Sequence, residues 1–271
     1  MLRTTPSSNL SRRQSLTGLL WLAGCGRAAP PAPLGPGNLP PQWQFDVDLS
    51  DEFEGGQLEA QRWFDHDPLW EGRPPSRFDR RNVSHRRGLL RLLSTAQPEG
   101  SPSRYHTAAI KARQPMRYGY LETRARAGAS AISSAFWLYA KDEDRWTEID
   151  VFELSGAPAQ RTTLHTAAHV FYDHPRGLRD PLHLQRPIAL DFPVHEDFHV
   201  YGLAWSPERL EWWVDGRVVR ALPNEHWHQP LHLMFDSEVF EDWFGLPDAA
   251  ALPARYDIDY LRVWRAPGGH A

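Results

Sequence analysis

The sequence predicts an all-β chain folded as a two-layer sandwich, and three observations carry that prediction. Several short runs alternate residue types with period two, and no stretch of normal helical length is amphipathic. The 24 prolines and 19 glycines punctuate the 271 residues densely, as many short strands and turns require. Asp215-Gly216 stands between two β-rich runs, the pair that a two-residue type I′ hairpin favours. Antiparallel strands of this kind bury one face against a second sheet.

The elements follow in order. Residues 89–93 form a short apolar strand, and residues 118–126 alternate residue types. Residues 132–139 and 147–154 are two further strands, and residues 198–205 another. The hairpin joins 210–214 to 217–220. Residues 256–264 supply the closing strand. The stretch 220–255, with Trp227, Trp243 and several prolines, reads as looped.

Length suits one large domain, here residues 42–266. Twelve tryptophans and 12% aromatic content suggest a binding surface as well as a core. A net charge of −4 argues against a nucleic-acid partner. Nearly all of the 30 basic residues are arginine, Lys111 and Lys141 being the exceptions, which reads as genome composition.

Residues 1–24 have the form of an export signal: Arg12-Arg13, a short apolar run over 16–22, then Leu22-Ala23-Gly24-Cys25. That last block resembles a bacterial lipobox, with Cys25 as the lipidated residue. The segment 11–16 partly matches a twin-arginine signal. Removing residues 1–24 takes away three arginines and no acids, so the charge becomes −4 − 3 = −7. Residues 25–41, rich in Pro, Gly and Ala, read as a tether. The expected setting is the bacterial cell envelope, with the membrane reached only through the lipid.

The most informative segment is Glu148-Ile149-Asp150-Val151-Phe152-Glu153. It places three carboxylates within six residues, in an apolar, β-favouring context. Such crowding is costly, because like charges repel and burial penalises the charged form. Strand side chains alternate faces, so Glu148 and Asp150 share one. Glu153 falls on the other face unless one extra residue, a β-bulge, brings it back. The bulged spacing suits the separation of about 5–5.5 Å between acid and nucleophile in a retaining glycosidase. Trp137 and Trp146 flank the segment, and aromatic faces beside paired carboxylates are a common way to hold sugar rings.

This strand resembles the β-bulged signature of glycoside hydrolase family 16. The resemblance covers about residues 45–265. Its other blocks are Gly72-Arg73-Pro74-Pro75, Tyr118-Gly119-Tyr120-Leu121-Glu122, Ser134-Ala135-Phe136-Trp137-Leu138, residues 199–205, Trp212-Trp213-Val214-Asp215-Gly216 and residues 260–264. It implies a concanavalin-like β-jelly roll with a concave glycan-binding groove. It also implies a retaining, endo-acting hydrolase with Glu148 as nucleophile and Glu153 as general acid, then base. Asp150 would hold a proton between them or orient Glu148. Arg73, and Phe235-Asp236-Ser237-Glu238 followed by Trp243, resemble the agarase, porphyranase and κ-carrageenase branch. Lys141 to Trp146 occupies the loop expected before the signature strand. A β-glucan remains an alternative substrate.

Further substrate-binding candidates are Trp70, Arg73, Trp137, Trp146, His165, Glu238 and Trp243. Each has a plainer reading: Trp137 as core, Arg73 as a surface charge, Glu238 as solvated, His165 as a structural histidine. The spacing of His165, His169 and His174 is not convincing for a metal, so no metal or cofactor is expected. The family often carries a structural calcium, which nothing in the sequence locates. The expected partner is a polysaccharide, bound by a monomer. A non-catalytic glycan-binding lipoprotein and an envelope transglycosylase are the competing readings. The intact carboxylates count against the first; the second differs only in the acceptor.

Overall fold

The computed structural model describes residues 32–35, 39–142, 145–172 and 181–267. Cys25, the signal segment, most of the tether and His174 lie outside these residues. Two sheets face one another, one of ten strands and one of eight. The first runs through Arg217–Pro223, Arg209–Val214, His199–Trp205, Gly119–Arg126, Ala254–Arg265, Leu89–Ala96, Tyr105–Thr107 and Ser76–Phe78, with Gln44–Phe45 also paired to Ala254–Arg265 and Val83–Arg86 to Leu89–Ala96. The second runs through Leu182–His183, Thr163–Tyr172, Arg145–Leu154, Ser133–Lys141, His232–Glu238, Ala109–Ala112 and Trp63–Phe64, with Arg186–Ala189 also paired to Thr163–Tyr172. Pairing is antiparallel except between Ser76–Phe78 and Tyr105–Thr107.

One apolar core fills the space between the sheets. Leu121, Leu203, Trp205 and Trp212 meet Phe136, Leu138, Phe152 and Phe235 there. Phe136 and Phe235 stack with centroids 4.1 Å apart. Each such side chain, fully buried, contributes roughly 1.5–3 kcal/mol. The hairpin forms as its sequence requires: Asp215 (φ 44°) and Gly216 (φ 77°) are both left-handed, the type I′ geometry.

Two expectations need correction. The stretch 220–255 is not all loop, since His232–Glu238 is a strand in the middle of the second sheet. Its alternation is masked because both faces are buried: Leu233 and Phe235 enter the core, while Met234, Asp236 and Glu238 are covered on the other side. The expected loop 141–146 is narrower: Lys141, Arg145 and Trp146 belong to paired strands, with Lys141 opposite Trp146.

Candidate active site

The predicted bulge is present. Pairing with the Ser133–Lys141 strand jumps from Asp150↔Trp137 to Phe152↔Phe136, leaving Val151 without an opposite number. Val151 and Phe152, adjacent in sequence, both enter the inter-sheet core. The alternation therefore restarts, and Glu148, Asp150 and Glu153 share the outer face. A tertiary contact also reaches the bulge. Trp212, from the opposite sheet, donates its indole N–H to the Asp150 carbonyl at 2.8 Å.

The neighbouring strands bring more acid. Asp236 and Glu238 lie on the same face of His232–Glu238, beside the signature strand's partner. Glu238 is only 4% exposed, so it is not solvated, and its Oε1 has no hydrogen-bond partner. Arg73, from a loop, reaches Glu238 at 3.7 Å and lies over the Phe240 ring. It is an exposed charge, yet it belongs to this site.

Charge crowding sets the protonation states. Burial raises Glu148 to about 7, against hydrogen bonds from the Trp146 indole (2.8 Å) and from Asp150. Burial, with repulsion from Glu148 and Asp236, raises Glu153 to about 8, against the pull of Arg73. Asp150 is raised well above the carboxylate range, by burial first and then by Glu148, Glu153 and Asp236. These causes all favour its protonated form, in a hydrogen bond with Glu148. Asp236 rises to about 7 by burial while accepting the Trp137 indole N–H at 2.9 Å.

An aromatic wall continues from the carboxylates. Tyr139 lies between Trp137 and Trp146, with centroids 4.7 and 4.6 Å away and rings nearly parallel. Trp137 is neither pure core nor free surface, being 7% exposed but packed in this wall rather than between the sheets. Beneath the wall, Lys111 donates to the Tyr139 hydroxyl at 2.5 Å, and that hydroxyl donates to Asp67. A cavity of about 750 Å³ opens here, lined by Trp70, Arg73, Trp137, Tyr139, Trp146 and Glu148 among others. At the other end His165, opposite Glu153 in register, meets Trp243 edge to face at 4.7 Å.

Sequence reasoning gave no role to Tyr139, Lys111 or Asp67, met Asp236 only within a family block and weighed His169 only as a metal ligand. His169 lies opposite Glu148, with its Nε2 3.4 Å from Asp150 Oδ2. Burial lowers it to about 4, so it is neutral. Glu148, Asp150 and His169 each present an atom within 4.8 Å of the others, close enough to hold a cation.

Residues 43–266 match the model of the β-porphyranase A–D domain of glycoside hydrolase family 16. β-Porphyranase B of Phocaeicola plebeius is 30% identical over 216 residues, 66% of this chain and 65% of that protein. β-Porphyranase B of Zobellia galactanivorans is 27% identical over 264 residues, 85% and 88% of the two. The chain thus spans just under two thirds of the first relative and most of the second. The crystal structure of porphyranase B from Zobellia galactanivorans superposes with a TM-score of 0.75 at 24% identity, over 87% of this chain and 99% of that one. The κ-carrageenase of Pseudoalteromonas carrageenovora, in complex with an oligotetrasaccharide of κ-carrageenan, superposes at 0.68 with 22% identity, over 82% and 95%. At these identities the structural likeness establishes the jelly-roll fold.

Proposed function

The chain belongs to glycoside hydrolase family 16, and from that premise we propose that it is a retaining, endo-acting hydrolase of β-glycosidic bonds in a galactan of the porphyran type. The observation that carries the reading is the bulge at Val151, which gathers Glu148, Asp150 and Glu153 on one face beside an aromatic wall. The names of the relatives support porphyran as first choice, with κ-carrageenan and β-glucan behind it. Arg73 and Lys141 at the cavity suit an anionic substrate.

Sugar rings lie along Trp137, Tyr139 and Trp146. The Glu148 carboxylate attacks the anomeric carbon. Glu153, protonated up to about pH 8, gives its proton to the departing glycosidic oxygen. A covalent glycosyl–Glu148 ester results. Glu153, now ionised, takes a proton from water, whose oxygen displaces Glu148 and regenerates it. Asp150 holds its proton against Glu148 and steadies it in both steps. Trp70, His165, Glu238 and Trp243 extend the groove on either side of the cut.

The test is wild type and Glu148→Gln on porphyran, agarose, κ-carrageenan and β-1,3-glucan, with new reducing ends measured. Internal cleavage of porphyran by wild type alone is expected. If wild type cleaves none of the four, or the variant matches it, the reading falls.

We further propose that Cys25 carries a lipid that holds the enzyme in the cell envelope as a monomer. The apolar run before Cys25 supports this. No described helix is long and apolar enough to cross a membrane. Cys25→Ser should move the protein from the membrane to the soluble fraction; an unchanged distribution would refute the anchor.

A further inference from the structure

The outer face of the ten-stranded sheet carries a cationic hollow. Leu90, Leu92, Ala125 and Ile258 point into the core. Their sequence neighbours Arg91, Arg126 and Asp257 therefore project to the opposite face. These three stand in one row, since Asp257 pairs in register with Arg91 on one side and Arg126 on the other. The Asp257 carboxylate, 1% exposed, accepts from Arg91 Nε (2.6 Å) and Nη2 (3.1 Å) and from Arg126 Nη2 (2.9 Å). One carboxylate thus meets two guanidiniums.

Arg255 adds a third positive charge at the rim. It has no carboxylate within ion-pair distance among the described residues. His195 lines the hollow too, and its buried Nδ1 has no hydrogen-bond partner among the described residues. Small side chains such as Ala127, Ala129 and Ala254 leave about 240 Å³ open between these groups. Three arginines and one aspartate give the hollow a formal charge of 3 − 1 = +2, on a chain whose net charge is −4. Guanidinium forks and an unpaired ring nitrogen suit a tetrahedral oxyanion.

We propose that this hollow is a secondary binding site for sulfate esters on the galactan chain, separate from the cleft. The inference rests on the reading of the substrate as an anionic galactan of the porphyran type, and adds that sulfate esters carry its charge. Two sites on opposite sheets let one long polymer, or two neighbouring ones, hold the enzyme by mass action without altering the chemistry at Glu148.

The test uses Glu148→Gln protein, which binds without turnover, carrying Trp146→Ala to weaken the cleft. Its binding to porphyran, to agarose and to inorganic sulfate is followed by affinity electrophoresis and titration calorimetry. Residual porphyran binding is expected, falling as salt rises from about 50 to about 500 mM. Adding Arg255→Ala should weaken it roughly ten- to hundredfold, the worth of one charge-assisted hydrogen bond. Arg255 is exposed, so the fold should survive, and a thermal melt checks this. Unchanged affinity after Arg255→Ala, equal binding of agarose, or binding of inorganic sulfate without porphyran would each overturn the site. The cleavage assay separates the two readings. Porphyran cut normally but bound independently of Arg255 removes only this site. Porphyran bound through Arg255 but not cut removes only the proposed reaction.

Discussion

The two sheets treat buried carboxylates in opposite ways. On the ten-stranded sheet Asp257 sits between Arg91 and Arg126 and spends its charge on both. On the eight-stranded sheet Glu148, Asp150, Glu153, Asp236 and Glu238 crowd together, with one arginine, Arg73, acting on four of them. Burial without matching cations pushes those groups up until some keep their protons near neutrality. Paired charge serves the fold; unpaired charge stores protons for chemistry. The difference teaches where to look for function on a sandwich whose two faces are otherwise built alike.

The largest effect tests the crowded side directly. Glu148→Gln should lower kcat roughly 10⁴-fold or more, as removal of a nucleophile does elsewhere. It should also stabilise the ligand-free protein at alkaline pH. Glu148 has its folded pKa raised to about 7 from an ordinary 4.5, so its contribution to stability is complete below about 4.5 and lost as pH rises through 7. Melting curves at pH 5 and pH 9 check this, and a variant less stable than wild type at pH 9 would break the contrast. Glu153→Gln should cost about 10²–10⁴-fold, with the deficit shrinking on substrates whose leaving group needs no proton.

The paired side should respond with the opposite sign. Asp257→Asn leaves Arg91 and Arg126 facing each other without their anion. Loss of one partner from a buried pair costs about 3–5 kcal/mol, and the partial exposure of Arg126 (35%) reduces this to about 2–3 kcal/mol. Urea denaturation reads it. A loss below about 0.5 kcal/mol would show that the row is not structural. Smaller again is Trp146→Ala. It removes the outermost ring of the wall and the indole hydrogen bond to Glu148. A stacking contribution of about 0.5–1.5 kcal/mol corresponds to KM rising roughly three- to tenfold on oligosaccharides.

The paired acids of the signature strand were legible because strand alternation is strict. An ExDxxE spacing in an apolar run either wastes its third acid or contains a bulge. Arg73 was legible through the family resemblance, and Trp146 as a loop residue just before that strand. Asp236 and Glu238 were harder: their strand is buried on both faces, so the period-two signal vanished into a stretch that reads as loop. Tyr139, Lys111 and Asp67 come from separate strands and a loop, and only folding joins them. The Trp212 indole on the Asp150 carbonyl is likewise invisible before the sheets are stacked. Local periodicity reveals which residues share a face; which faces meet is a property of the whole chain.

Arg73 offers the finest test of the contrast, because it acts on four of the five crowded carboxylates. Its charge lowers Glu148, Glu153, Asp236 and Glu238 together. In wild type, kcat/KM should rise as Glu148 ionises near pH 7 and fall as Glu153 loses its proton near pH 8, a narrow optimum. Arg73→Met removes a stabilising charge from both carboxylates, so both limbs should move to higher pH. Arg73→Lys keeps the charge and should leave the limbs near their wild-type positions, even if KM rises through loss of the planar fork. A profile that stays fixed in Arg73→Met while KM increases would confine Arg73 to holding sugar. Limbs that move in opposite directions would mean that the two acids answer to different cations, and the five carboxylates would not be one electrostatic unit.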